Sequence, residues 1–368
     1  MREPSCRIAN PAQSLQAITV GSIGLDALVG LWTSFAQKDE PSAFSRTGPG
    51  LWGVVKPEVV EYGGDFAYDT GNPPDLTIKP EISPQLVSST MHGGPSVGRD
   101  DVGTSFAAPK VAHIAAQIQA AFPDASTLLY RALIIQSARW PSWTSYEMNK
   151  SKLIKHLGYG IPDVNRAIQN TEYYITLITN GDVYIRGKQV HIYEVKIPEE
   201  LRWPGDSYDI RIDITLSYKA QPRRTRRTRR RYLSTWLEWQ TSKLNEATDS
   251  FMQRIIELVG ADILDEAGSE VEPGVIKWAI RERSDWGEIR DVHRNSGTVQ
   301  KDWAIVKSHE FMEGFCIAVI GHTEWDVNPE ASVPYAMAVT FEAINQDVEI
   351  YSKIAIENVI EVEERELW

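Results

Sequence analysis

Apolar residues fall at helical spacing after Pro109. Val111, Ala112, Ile114, Ala115, Ile118 and Ala121 make one stripe over Lys110–Ala121, which predicts a buried helix. Its many alanines favour the helix and let it approach a neighbour closely. The run Phe122-Pro123-Asp124-Ala125-Ser126 breaks that period and offers a new N-cap. A second helix follows over Thr127–Ser137, with Leu128, Leu129, Ala132, Leu133 and Ile135 on its apolar side. Upstream, Ala17–Ser22 is short, β-branched and interrupted by glycine, as in a buried parallel strand.

From about Thr171 the period becomes two. Tyr173–Thr179, Gln189–Ile197, Tyr208–Tyr218 and Tyr335–Glu342 read as strands. In Ile210–Leu216 the isoleucines and Leu216 face inward, while Arg211 and Asp213 face outward. One helix is predicted near Glu246–Val259, with Phe251, Ile255 and Ile256 on its buried face. The expected fold class is α/β: an incomplete doubly wound parallel sheet over residues 1–170, then a mostly antiparallel β-sandwich domain over 171–368.

The chain has 368 residues, enough for two cores. A formal net charge of −12 argues against a general nucleic-acid binder. Two cysteines, Cys6 and Cys316, give no disulfide framework, and Met1–Cys6 lacks the apolar core of a signal peptide, so a cytoplasmic location is expected. No apolar run is long enough to span a bilayer, so no membrane partner is expected. Asp65, Asp69, Asp75, Asp100 and Asp101 lack calcium-loop spacing, so no metal or cofactor site is assigned.

The chemistry concentrates in Gly103-Thr104-Ser105-Phe106-Ala107-Ala108-Pro109. It sets a serine in the first turn of the first helix, where backbone N–H groups are free and the dipole is positive. That environment suits a nucleophile whose substrate oxygen becomes an anion. A plain N-cap at Thr104 or Ser105 is the structural alternative.

The stretch resembles the serine motif of the subtilisin-like peptidases (subtilases). Pro41–Pro49 is similar to their Phe-Ser-x-x-Gly-Pro loop, and Lys56–Gly64 to their Lys-Pro-Asp-Val strand and turn. Gly158–Ala167 is similar to the segment that closes their catalytic domain. The resemblance covers roughly residues 5–170. Trp278, Arg294–Trp303 and Asp347–Tyr351 look like the C-terminal module of some large intracellular bacterial subtilases, a weaker match. The family implies a serine endopeptidase acting on polypeptides. Ser105 would form the acyl-enzyme, and its own N–H would be an oxyanion donor.

A serine hydroxyl needs a base and an orienting carboxylate. In the family the Asp motif, the His motif and the oxyanion Asn all lie upstream of the serine. Residues 1–104 contain none of these motifs, so the chain alone is expected to be weak or inactive. A missing N-terminal segment is then a further candidate partner. The alternative is a non-catalytic pseudopeptidase or binding module. His92 lies in an unrelated context, and Asn10 sits in the loop after the family's oxyanion Asn. His113 is eight residues after Ser105, about 12 Å along a helix and too far for a direct bond. The resemblance places a small residue at His113 and often a histidine where Lys110 stands. Arg223–Arg231 has seven arginines in nine residues and reads as a solvated hairpin loop rather than an anion site.

Overall fold

The computed structural model describes residues 6–71, 78–79, 87–88, 99–147, 149–181, 183–203, 205, 207–223, 232–260, 274–280, 287–357 and 362–366. His92, most of the insert between Asp65 and Gly98, and all but the first arginine of Arg223–Arg231 lie outside these residues. The chain is a mixed α/β protein with one small parallel sheet and several antiparallel ones. It divides into two compact units, 1–121 with 137–167, and 122–136 with 168–368.

In the first unit, β1 (Val20–Ile23) pairs in parallel with β3 (Val59–Tyr62). The alternation of β3 sends Val60 to one face, where it packs with Ile23, Leu153 and Leu157. The leucines come from α3 (Lys150–Leu157), a helix capped by the Asn149 side chain on the Lys152 N–H at 3.0 Å. The helix α1 (Thr104–Ala121) also packs on β1 and β3. In a separate sheet, the strand β2 (Trp32–Ser34) pairs with β4 (Ala67–Asp69), and β4 with β5 (Ile78–Lys79). The strands β6 (Val87–Ser88) and β7 (Arg99–Asp101) form a separate pair.

The Lys-Pro-Glu block has a clear physical purpose. Lys56 is buried and its Nζ donates to Ala17 O, Thr19 Oγ1 and Glu58 Oε1, the last at 2.5 Å. Glu58 in turn accepts the Thr19 N–H at 2.7 Å. A buried ion pair with all its groups bonded thus fixes the start of β1 beside the start of β3. Against this block, Gly158 (φ 57°) and Gly160 (φ 109°) form a turn that neighbouring backbones crowd, with the Tyr159 N–H donating to Glu58 O at 2.8 Å. A Cβ on Gly160 would lie 2.1 Å from Arg139 O, so only glycine fits. The turn leads to α4 (Val164–Ile168).

The second unit has a four-stranded and a five-stranded antiparallel sheet. One runs β12 (Thr235–Thr241), β14 (Gly314–Thr323), β10 (Gln189–Lys196), β16 (Val362–Glu366). The other runs β13 (Val299–Lys307), β11 (Asp209–Tyr218), β15 (Ser332–Ala343), β8 (Tyr174–Ile178), with β9 (Val183–Arg186) also on β15. Side chains of the two sheets meet: Phe315 and Phe341 lie edge to face at 5.8 Å, and His191 Nδ1 is 2.8 Å from Tyr335 Oη. The helix α6 (Thr248–Gly260) covers the other face of β10 and β14 through Phe251 and Ile255. The short helices α5 (Glu199–Arg202) and α7 (Tyr351–Glu357) complete the element order.

The helix α2 (Thr127–Ser137) lies almost wholly in this unit, on β11, β13 and β15. That placement corrects two readings. Asp213 does not face solvent; it is fully buried, with Arg211 donating at 2.8 and 3.0 Å and the Lys301 ammonium 3.6 Å away as an ion pair. The buried side of α2 includes Arg131 and Gln136, not only leucine and alanine. The α6 stripe is also narrower than expected, because Ile256 is 39% exposed. Three strands escaped the alternation rule. In β12 and β14 nearly every residue is buried, and in β13 the buried set includes Lys301 and Asp302. Strands covered on both faces show no polar-apolar alternation.

Candidate active site

The serine is delivered by backbone packing. The N–H of Gly103 donates to Gly63 O at 2.8 Å, just past the carboxyl end of β3. Gly63 must be glycine, since a Cβ there would lie 2.3 Å from Ser22 Oγ and 2.5 Å from Gly103 O. Ser42 Oγ donates to Gly64 O at 2.6 Å and sits 2.8 Å from Ser22 Oγ, which ties β1 into the same junction. The buried Asp65 carboxylate accepts the N–H of Ala36 at 2.6 Å and of Ala43 at 2.8 Å. Burial raises its pKa, and those backbone donors oppose the rise.

Helix α1 begins at Thr104, so Ser105 stands in its first turn, and its side chain is exposed. Among the described residues, the N–H groups of Thr104 and Ser105 have no acceptor, and the Ser105 hydroxyl has no partner. Pro109 lies inside the helix and has no N–H to give to the Ser105 carbonyl. The result is an accessible hydroxyl beside free donors at the positive end of an 18-residue helix. Such a site can attack a carbonyl and hold the resulting oxyanion once a base is supplied.

Of the expected apolar stripe, Val111, Ile114 and Ile118 are buried, whereas Ala112 and Ala121 are exposed. Ala107, Val111, Ile114 and Ile118 face the core. Ala108, Ala112, Ala116 and Ala121 are exposed. The covered stripe is therefore one side only, although the alanines of the other side carry no charge.

None of the described histidines hydrogen-bonds Ser105. His113 is exposed on α1 and lies 2.6 Å from Gln117 Nε2. His156 is half-buried on α3, and desolvation, with Lys152 and Lys155 nearby, holds its pKa below the ordinary histidine value. His191, His293, His309 and His322 belong to the second unit; His322 bonds Glu238 at 3.0 Å. Among the described residues no group of three or more His, Cys, Asp or Glu is placed to hold a metal ion.

One cluster beside the serine helix was not anticipated. Lys110 Nζ lies 5.5 Å from the Tyr62 ring centre, next to the Glu61 carboxylate. Desolvation lowers the Lys110 pKa and raises that of Glu61; their mutual attraction opposes both shifts. Tyr62 Oη donates to Asp39 Oδ1 at 2.5 Å, and burial followed by that carboxylate raises the phenol. The signal available in the sequence was a charge at Glu61 inside an otherwise apolar strand.

The family model for subtilases matches residues 3–164. That segment is similar to the subtilase family. The matched stretch contains Ser105, the Gly63–Gly103 junction and the Lys56–Glu58 pair. The chain is also similar to an uncharacterized protein, y4bN, of Sinorhizobium fredii (strain NBRC 101917 / NGR234). The two are 33% identical over 250 residues, covering 61% of this chain and 53% of that protein. This chain thus spans about half the length of the relative it matches. Among the described residues, no helix is long and apolar enough to cross a membrane.

Proposed function

We propose that Ser105 is the acyl-forming nucleophile of a subtilisin-type serine endopeptidase. The match of residues 3–164 to the subtilase family supports a peptidase-type function and polypeptide substrates. The observation that supports Ser105 is its accessible hydroxyl in the first turn of α1, inside the Gly103–Pro109 motif. The Ser105 N–H would stabilise the oxyanion. We read residues 1–170 as the peptidase-type segment and 171–368 as an accessory β-sandwich domain. Two free cysteines are in keeping with a cytoplasmic setting.

Within this chain alone the proposed activity is weak or absent, because no described histidine hydrogen-bonds Ser105. The base, the acid and the oxyanion Asn would have to come from a further segment, our candidate partner. The same observation favours a second reading, a non-catalytic pseudopeptidase or binding module.

An alkyl fluorophosphonate probe tests both readings. Weak labelling is expected, and Ser105→Ala should abolish it. Strong labelling at Ser105 would overturn the assignment of inactivity. Labelling that survives Ser105→Ala would overturn the choice of nucleophile.

A further inference from the structure

Pro109 leaves the first turn of α1 short of one hydrogen bond, since it has no N–H to give to the Ser105 carbonyl. The turn that carries Ser105 is therefore joined to the rest of its helix less firmly than an ordinary first turn. The next residue, Lys110, makes a contact just beyond this gap. Its half-buried side chain places the ammonium 5.5 Å from the centre of the Tyr62 ring. Tyr62 is the last residue of β3, and Gly63, which follows it, accepts the Gly103 N–H at 2.8 Å. Both ends of Gly103–Lys110 thus rest on the end of one strand.

The Tyr62 ring is itself held. Its hydroxyl donates to Asp39 Oδ1 at 2.5 Å. Asp39 has φ 64°, in the left-handed region that aspartate enters more readily than most side chains. Its N–H donates to Gly24 O at 3.1 Å, and its carbonyl accepts from Trp143 Nε1 at 3.2 Å. The main chain at Asp39 is thus fixed in the conformation that brings its carboxylate to the phenol. Glu61, buried beside Tyr62, accepts the Tyr62 N–H at 2.8 Å and attracts Lys110. A cation is drawn to a ring face more strongly as water is excluded, and Lys110 is partly desolvated here. All these residues belong to the first compact unit.

We propose that Lys110, seated on the Tyr62 ring that Asp39 holds, is a positioning residue for Ser105. It pins the helix to the end of β3 just past the bond that Pro109 lacks. The pin fixes where the Ser105 hydroxyl and its neighbouring N–H groups stand. The consequence for catalysis rests on the reading of Ser105 as nucleophile; the pinning of the turn does not.

Hydrogen exchange of the full chain, read by mass spectrometry, tests it. Lys110→Met keeps an apolar stem beside the ring and removes the charge. Protection of the amides in Gly103–Ala108 should fall about tenfold, the order that a partly desolvated cation over a ring supports. The α3 peptide Lys150–Leu157, packed on β1 and β3 through Leu153 and Leu157, should keep its protection. Lys110→Arg retains a cation for the ring and should restore the parent value. Tyr62→Phe removes the hydroxyl that bonds Asp39 and should lower protection of the same amides by less. Unchanged protection of Gly103–Ala108 in Lys110→Met would overturn the proposal, as would an equal loss in α3 or a Lys110→Arg chain that behaves like Lys110→Met. Should Lys110→Met fail to fold, Tyr62→Phe decides alone, and no change at Gly103–Ala108 overturns the proposal. Absence of phosphonate labelling at Ser105 would sink the nucleophile reading and leave the pin standing.

Discussion

Helices α1 and α2 are separated only by Phe122–Ser126, yet α1 leaves Ala108, Ala112 and Ala116 in solvent while α2 buries Arg131 and Gln136. Read by composition, the two should be the other way round. The difference lies in what each helix meets. On its covered side α1 meets β1 and β3, and small apolar residues suffice there. The sheet under α2 offers Lys301, Asp213, Thr215 and Thr340, and only a helix with matching donors and acceptors can lie on it. Burial is thus a property of the partner as much as of the helix, and polarity is a poor guide where both surfaces are polar and bonded.

The largest expected effect is at Asp213. Asp213→Ala removes the buried carboxylate that pairs with Arg211 and Lys301. Breaking a buried pair in this way costs about 3–5 kcal/mol, readable by denaturant unfolding. A loss near zero would show that the polar seat is dispensable and would erase the contrast with α1.

Next is a pH effect confined to the first unit. Burial and nearby lysines lower the His156 pKa from 6.5. The folded state therefore binds that proton less readily than the unfolded chain. Stability from this group is present above the ordinary value and falls as pH drops through it towards the folded value. His156→Gln should flatten that acid-side slope, measured by unfolding at a series of pH values; an unchanged slope would remove His156 as its cause.

Smaller still is Ala112→Glu on the open side of α1. An exposed helical site should tolerate it within about 0.5 kcal/mol. A severe loss would mean that this side is covered in the protein as studied in solution. Smallest is Ser105→Ala, whose hydroxyl bonds to no described group. Stability should stay within about 0.5 kcal/mol of the parent, in thermal or denaturant melts, even though labelling at that position is lost. A large destabilisation would recast Ser105 as a structural cap.

The sequence by itself determined the local features. Gly103–Pro109 marked the serine turn, the isoleucines of β11 marked an inward face, and Gly158–Gly160 marked a turn only glycine can make. Each depends on residues a few positions apart, so each leaves a local trace. Tertiary structure alone decided that Asp213 is buried, that one side of α1 is open and that α2 lies in the β unit. Those outcomes rest on pairings such as Gln136 with Thr340 and Lys301 with the end of α2, more than a hundred residues apart in the chain. A one-dimensional pattern records which side chains are apolar. It does not record which polar side chains will find a partner, and that decides whether they can be buried.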